Sequence, residues 1–293
     1  MYFNDMLGHF DIDPKQVLAI RHTPSEPQFK KDFLRLVLPR ADLFNSYQQF
    51  QTKKVEKAMT EVAYLASFIG HQPGKAVFVG LYSIRGSKPF THDEYWQLPA
   101  HVEMKTRFGV RGFTEEDGRS SILCFDLQEM VVFYGSWKGK LVVEWPPPEV
   151  SWWRRADRNN LRVFAVLEES LLDAAPPNWR ELKLTWEALS ELSPRWKAKL
   201  SEWRGIYYIF DHSTRMGYVG SAYGENNLLH RWLNYRISGD GGNALLRQRD
   251  PHNFEFTILE RVSPDMEMER VVQLETTWKN RLHTRAPDGL NDN

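Results

Sequence analysis

Two short runs towards the end of the chain constrain its fold more than any other feature. Gly205-Ile206-Tyr207-Tyr208-Ile209-Phe210 is rich in β-formers, a polar turn covers Asp211 to Met216, and Gly217-Tyr218-Val219-Gly220 resumes the pattern. Aromatic and β-branched residues bounded by turn formers read as strands, and two such runs across a short turn read as a hairpin. A helix is expected next, from about Glu225 to Ile237, with Leu228, Arg231, Trp232 and Tyr235 spaced by three or four residues and so on the side facing the domain. Gly239 to Gly242 break the chain. A short helix over Asn243 to Gln248, a third strand over Phe254 to Leu259 and a last helix from about Pro264 to Arg281 follow.

In that last helix Val271, Leu274, Trp278 and Leu282 form the apolar stripe, and at ~100° per residue Glu275 falls inside it. An inward carboxylate is costly unless it is paired or bound to a cation. Glu275 therefore calls for a partner, of which a divalent metal is one kind and a structural ion pair with Arg231 another.

The order Gly205-Ile206-Tyr207, Tyr218-Val219-Gly220, Arg231, Tyr235, Glu275 in Leu274-Glu275-Thr276-Thr277-Trp278 and Asn291 in Gly289-Leu290-Asn291 resembles the GIY-YIG nuclease domain, from Trp203 to Asn293. Either tripeptide alone is a weak signal; both in a hairpin, with the arginine, glutamate and asparagine following in order, make a specific one. The resemblance implies a three-stranded sheet flanked by helices. It implies hydrolysis of a DNA phosphodiester with one magnesium (or manganese) ion, held by Glu275. Arg231 would contact the scissile phosphate, where a guanidinium stabilises charge developing on the phosphoryl oxygens. Tyr207 is the first candidate to take a proton from the attacking water, assisted by Tyr218 or Tyr235. Asn291 would orient the metal site or the substrate through its amide, and Gly205 and Gly220 would leave space for backbone approach, Gly220 on the nucleic-acid side. A free tyrosine is a poor base near neutral pH, with a reference pKa of ~10, so cations must lower it or the proton must be relayed. Some members of the family carry histidine where Tyr235 stands, which leaves the base open. His230, His252 and His283 do not match the motif and read as surface or satisfied histidines. Taken singly, Tyr207 and Tyr218 also fit an ordinary cross-strand aromatic pair.

The rest of the chain reads as a separate domain, since 293 residues exceed the ~100 to 200 of a usual one. From Phe44 to Phe68 the spacing of Val55, Met59, Val62 and Ala63 predicts a helix, stopped by Gly70, Pro73 and Gly74. Strands are expected over Ala76 to Tyr82, Ile122 to Leu127, Met130 to Tyr134, Leu141 to Trp145 and Leu161 to Leu167, with turns at Gly86-Ser87, Glu116-Asp117-Gly118 and Pro146-Pro147-Pro148. Leu182, Trp186, Leu189 and Leu192 recur at helical spacing after Pro176-Pro177 and predict a helix docked on a core. The expected class is α+β: a β-rich domain over 1–172, a strongly bent sheet or a small barrel such as a PUA-like module; a helical connector over 173–202; and the nuclease-like domain over 203–293.

Lysine plus arginine and aspartate plus glutamate both number 38, so no global field pulls the chain onto phosphates and DNA binding must use local patches. Tyr82, Trp96, Trp137, Trp145, Trp152 and Trp153 interleave with Arg85, Lys88, Arg154, Arg155 and Arg158, a mixture that can stack on bases while neutralising phosphates. Trp152-Trp153-Arg154-Arg155 is the candidate nucleic-acid contact of a DNA-recognition domain, one able to hold a flipped and modified base; core packing explains the tryptophans at least as well. Double-stranded DNA is the expected partner of a restriction-type defence enzyme, with a repair or mobile-element nuclease and a non-catalytic DNA-binding protein as alternatives. A homodimer follows if both strands are cut, because one centre cuts one strand. No apolar run approaches the ~20 residues of a membrane span, the start lacks the basic and apolar regions of a signal peptide, and the single cysteine, Cys124, forms no internal disulfide. Cytoplasm is the expected location.

Overall fold

The computed structural model describes residues 1–148, 151–224 and 227–292. The chain divides into two compact units, Met1–Ala174 and Ala175–Asn293.

The first unit runs α1 (Phe3–Gly8), β1 (Val17–His22), α2 (Pro27–Leu36), α3 (Ala41–Gln49), α4 (Lys53–Met59), β2 (Tyr64–Gly70), β3 (Lys75–Thr91), α5 (His92–Trp96), α6 (Pro99–Phe108), β4 (Ser121–Glu129), β5 (Leu141–Glu144), β6 (Trp153–Arg155) and β7 (Val163–Val166). Its sheet has the order β6-β1-β2-β3-β5-β7, with β4 on the far half of β3. Strands β1 and β2 are parallel and the other pairs antiparallel. Apolar side chains cover both faces. Leu18, Ile20, Leu65 and Ile69 pack with Phe29, Phe44 and Met104 from the helices, whereas Val17, Ala19, Ala66 and Phe68 pack with Phe3 of α1 and with Trp145.

That two-sided burial explains why β2 did not read as a strand, because a strand covered on both faces shows a continuous apolar run rather than alternation. The helix expected from Phe44 to Phe68 is broken after α3 and again after α4, and from Tyr64 the chain is strand β2. Met130 to Tyr134 is a turn instead of a strand, leaving Val131 and Val132 exposed. Gly86-Ser87 does not end a strand but lies within β3, at a register irregularity between Ile84 and Gly86. Among the described residues the sheet curls as a half-barrel whose order ends at β6 and β7, which is the strongly bent form of the expectation and not a closed barrel.

The second unit comprises β8 (Lys183–Thr185), α7 (Pro194–Glu202), β9 (Gly205–Asp211), β10 (Met216–Ala222), α8 (Asn227–Ser238), β11 (Phe254–Arg261) and α9 (Met268–Arg281). An antiparallel sheet of order β10-β9-β11-β8 forms its centre, four strands instead of three. The fourth comes from the stretch expected as a docked helix. Leu182, Trp186, Leu189 and Leu192 are buried as their spacing implied, but Lys183–Thr185 pairs with β11 and only Ala188–Glu191 coils, as one 3-10 turn. Covering the open edge of β11 satisfies main-chain groups that a helix there would leave unpaired. Helix α7 begins where Ser193 Oγ accepts from Trp196 N and Pro194 takes the first turn. The helix expected from about Glu225 starts, as described, at Asn227; Glu225 itself lies outside the described residues. Asn243 to Gln248 holds only a 3-10 turn, Leu246–Gln248.

Alternation along β9 sorts the core. Tyr207 and Ile209 face Trp232 and Tyr235 of α8, while Ile206 and Tyr208 pack towards Val271, Leu274 and Trp278 of α9. Trp232 is fully buried, and a ring of that size removes ~200 Å² from water, on the order of 5 kcal/mol. Among the described residues no helix is long and apolar enough to cross a membrane.

Candidate active site

Strand β10 is the edge of the second sheet, and its alternation sends neighbouring residues to opposite faces. Tyr218 and Ala222 join the core under α8, whereas Val219 packs on the α9 side. Ser221 follows Val219, and its Oγ donates to Glu275 Oε2 on α9. A cleft of about 360 Å³ opens at this edge, lined by Tyr218, Ser221, His230, Arg231, Asn234 and Glu275 among others. Residues from a strand and two helices thus meet on one surface.

Behind the cleft lies a phenol cluster. The Tyr207 and Tyr235 hydroxyls share a hydrogen bond of 2.9 Å, and Arg231 Nε donates to Tyr207 Oη at 3.0 Å. The Arg231 guanidinium also lies 5.3 Å from the centre of the Tyr235 ring. The Tyr207 and Tyr218 rings are 6.4 Å apart and those of Tyr218 and Tyr235 6.3 Å. Tyr207 and Tyr235 are fully buried, and only Tyr218 of the three lines the cleft. Burial holds the Tyr207 phenol well above the usual tyrosine range, with the Tyr218 phenol adding to the effect and Arg231 offsetting only part of it. Burial does the same to Tyr235. Tyr207, the expected proton acceptor, thus lies buried behind the cleft and receives a hydrogen bond from Arg231 Nε, whereas the phenol that lines the cleft is that of Tyr218.

Gly220 pairs across the hairpin with Tyr207, and a Cβ there would fall on the Tyr207 phenol. The room it leaves is filled by the Tyr207 ring. A Cβ on Gly205 would likewise collide with the Glu260 carbonyl of β11.

Glu275 sits as its stripe position predicts, with 17% of its side chain exposed, but its ion-pair partner is Lys279 and not Arg231. Lys279 Nζ is 2.8 Å from Glu275 Oε1, one helical turn on, and its side chain is only 7% exposed. Asn291 is buried away from the cleft. Its Oδ1 accepts from Val219 N at 3.0 Å and its Nδ2 donates to Val219 O at 2.9 Å, so the amide it was expected to offer to metal or substrate is committed to β10. Ser221, Lys279, His230 and Asn234 were not singled out from the sequence for this site. The four-residue spacing of Glu275 and Lys279 was the available signal for one of them. Of the other two histidines, His252 pairs with Glu187 at 2.8 Å and His283 is exposed.

The candidate nucleic-acid contacts of the first unit are mostly engaged internally. Arg154 donates to Pro146 O at 2.6 Å, Pro148 O at 3.2 Å and Asn159 Oδ1 at 3.1 Å. Arg155 pairs with Glu61, and Trp153 lies under Lys54 Nζ at 5.8 Å. Trp152 differs from its neighbours in facing a cavity. Tyr82 and Trp145 are core residues.

No protein-family model matches the chain, and no curated protein matches it. Among solved structures, the chain is similar to the catalytic domain of the homing endonuclease I-TevI, at 25% identity over 31% of this chain and 98% of that one, with a TM-score of 0.26. It is similar to a glutamate-to-alanine variant of the catalytic domain of the intron endonuclease I-TevI at 25% identity over 30% of this chain and 92% of that one, again with a TM-score of 0.26.

Proposed function

We propose that the second unit is a metal-dependent DNA endonuclease of the GIY-YIG type, and that the chain is a restriction-type enzyme whose first unit selects the DNA. The observation that supports this most is the meeting of Tyr218, Arg231 and Glu275, which stand in the order of the family's motifs, with Ser221 on one cleft.

The donor set suits a hard divalent cation. Glu275, the Ser221 hydroxyl and the Tyr218 phenol are all oxygen donors on an open surface. Among the described residues Glu275 is the acidic residue lining the cleft and would be its carboxylate ligand. Magnesium tolerates this, since it keeps water and takes substrate phosphate oxygens beside one or two carboxylates. When bound, such an ion acts as a Lewis acid towards a phosphoryl oxygen and an activator of water. The chain's own groups do the rest. Arg231, held by Tyr207, presents positive charge to the phosphate, and Tyr218 orients the attacking water and moves its proton within the cleft. Ser221 fixes one oxygen of Glu275, and Lys279 compensates the carboxylate's charge when no metal does.

The direct test incubates the full chain with plain, modified and branched DNA, with magnesium and with chelator. Magnesium-dependent cutting is expected, and Arg231→Ala is expected to lower its rate about 100-fold, the loss typical for one charge-stabilising donor. Cutting that is unaffected in Arg231→Ala, or no cutting of any DNA, removes the proposal. Lys279→Met supplies a readout independent of cleavage. Removing one partner of a mostly buried pair should destabilise the metal-free protein by about 1 to 3 kcal/mol, the cost of leaving the other group unsatisfied. Magnesium should then raise the melting temperature more in the variant than in the parent, because it restores the missing charge. Equal magnesium shifts in the two proteins would place the cation elsewhere.

A further inference from the structure

The first unit contains a cavity of about 640 Å³ that the cleavage chemistry does not use. It lies where His22 ends β1, Tyr47 leaves α3, Tyr95 and His101 project from α5 and α6, and Trp152 precedes β6. Two features of its wall are unusual. His22 and His101 are buried, at 2% and 3% exposure, and Nε2 of each has no hydrogen-bond partner among the described residues. Both rings are held by aromatic neighbours: His101 lies 4.0 Å from Tyr95 at 31° and meets Phe50 edge-on at 4.8 Å, while His22 meets Phe44 edge-on at 5.6 Å.

Burial lowers the His22 imidazole to about 3 and that of His101 to about 4, so both are neutral at physiological pH. A neutral imidazole offers one N–H and one lone-pair nitrogen. Polar atoms enclosed without a partner are costly, and a ligand bearing complementary donors and acceptors removes that cost. Tyr47, Phe50, Tyr95, Phe113 and Trp152 give the remaining wall its aromatic surface, beside aliphatic Met104, Val110 and Ile122 and neutral polar Thr23, Gln51 and Thr52. Its fully charged side chains are four basic, Arg21, Lys53, Arg111 and Arg119, against one acidic, Asp117. Arg111 and Arg119 have acidic partners, at 3.2 Å to Asp117 and 2.9 Å to Glu56. Lys53 and Arg111 are exposed, whereas the histidines lie deep.

A bare anion does not fit polar groups that are neutral where the cavity is deepest. A purely apolar ligand leaves both imidazoles unsatisfied. A flat heterocycle with polar edges and an anionic substituent meets every requirement: faces for the aromatic wall, edge atoms for the histidines, negative charge for the exposed basic residues. We infer that this cavity receives a single nucleobase, with His22 and His101 contacting its edge and its phosphate directed to Lys53 and Arg111. The inference rests on the DNA-selecting role given to the first unit. The base can come from a nucleotide swung out of a duplex or from a free nucleotide, since a pocket of this volume holds either.

The experiment uses the full chain carrying Glu275→Gln, without divalent metal, so that cleavage plays no part. One arm titrates nucleoside monophosphates, methylated ones included, by calorimetry; the other titrates random-sequence duplexes containing 2-aminopurine, which brightens on leaving the stack. Saturable binding is expected in at least one arm, weakened at least tenfold by His101→Leu. Thr52→Trp, an exposed position on the wall, must weaken it equally and keeps the test valid where loss of His101 unfolds the chain. Brightening assigns the base to duplex DNA, and heat from free nucleotides without brightening assigns it to them; either supports the inference. No saturable signal in both arms, or binding unchanged in Thr52→Trp, overturns it. DNA cutting by the parent chain is scored separately, so a nuclease without base binding sinks this inference alone, and base binding without cutting sinks the nuclease reading alone.

Discussion

Replacing Glu275 by glutamine is expected to lower magnesium-dependent cleavage by about 1,000-fold, on the order of 4 kcal/mol of transition-state stabilisation. The substitution keeps the size of the side chain and an oxygen for the Ser221 hydroxyl, but removes the charge that would hold a cation at the cleft. It also leaves the mostly buried Lys279 without its carboxylate, so some stability is lost with it. A double variant separates the two effects. Glu275→Gln with Lys279→Met removes both charges, should recover most of the melting temperature of the parent, and should remain inactive. Nicking of supercoiled plasmid, followed as a first-order rate, gives the comparison. Cleavage within tenfold of the parent in either variant would mean that the carboxylate does not carry the reaction.

How far this site could be read from sequence depends on how local its causes are. The hairpin was legible because β9 and β10 carry their aromatic and β-branched residues between a polar turn and glycines, and the inward position of Glu275 was legible because a helix repeats every few residues. Leu282 was read into the same stripe but is 39% exposed, because α9 ends at Arg281 and the backbone turns left-handed at His283. What side chains touch was less legible. Nothing in the pattern distinguishes a phenol facing a cleft from one bonded to an arginine behind it, and this is the difference between Tyr218 and Tyr207. In the first unit β1 was missed because all six of its residues are buried, so it lacks the alternation of a half-exposed strand. The cavity was invisible for a different reason. His22, His101 and Trp152 come from distant parts of the chain and meet only through the sheet order and the helices packed on it.

Asn291 gives the sharpest separation between a residue that reacts and one that holds a reacting strand in place. Its amide meets the outward N–H and C=O of Val219, and its neighbour Leu290 donates from its backbone N to Gly217 O at 2.9 Å. Together the two residues cover alternate positions along β10, the edge of the sheet, much as another strand would. Asn291→Ala removes both bonds and leaves two main-chain groups of Val219 to whatever water can reach them. The expected cost is about 2 to 4 kcal/mol, a fall of roughly 5 to 15 °C in melting temperature. Asn291→Asp keeps an acceptor for the Val219 N–H but turns a negative oxygen on the Val219 carbonyl, and should be destabilised at least as much. Because Tyr218 and Ser221 flank this clamp on the same strand, cleavage should fall in step with the folded fraction and recover at lower temperature. A variant that melts like the parent yet has lost its cleavage would show instead that the amide acts on metal or substrate, and that the clamp on Val219 opens when DNA binds.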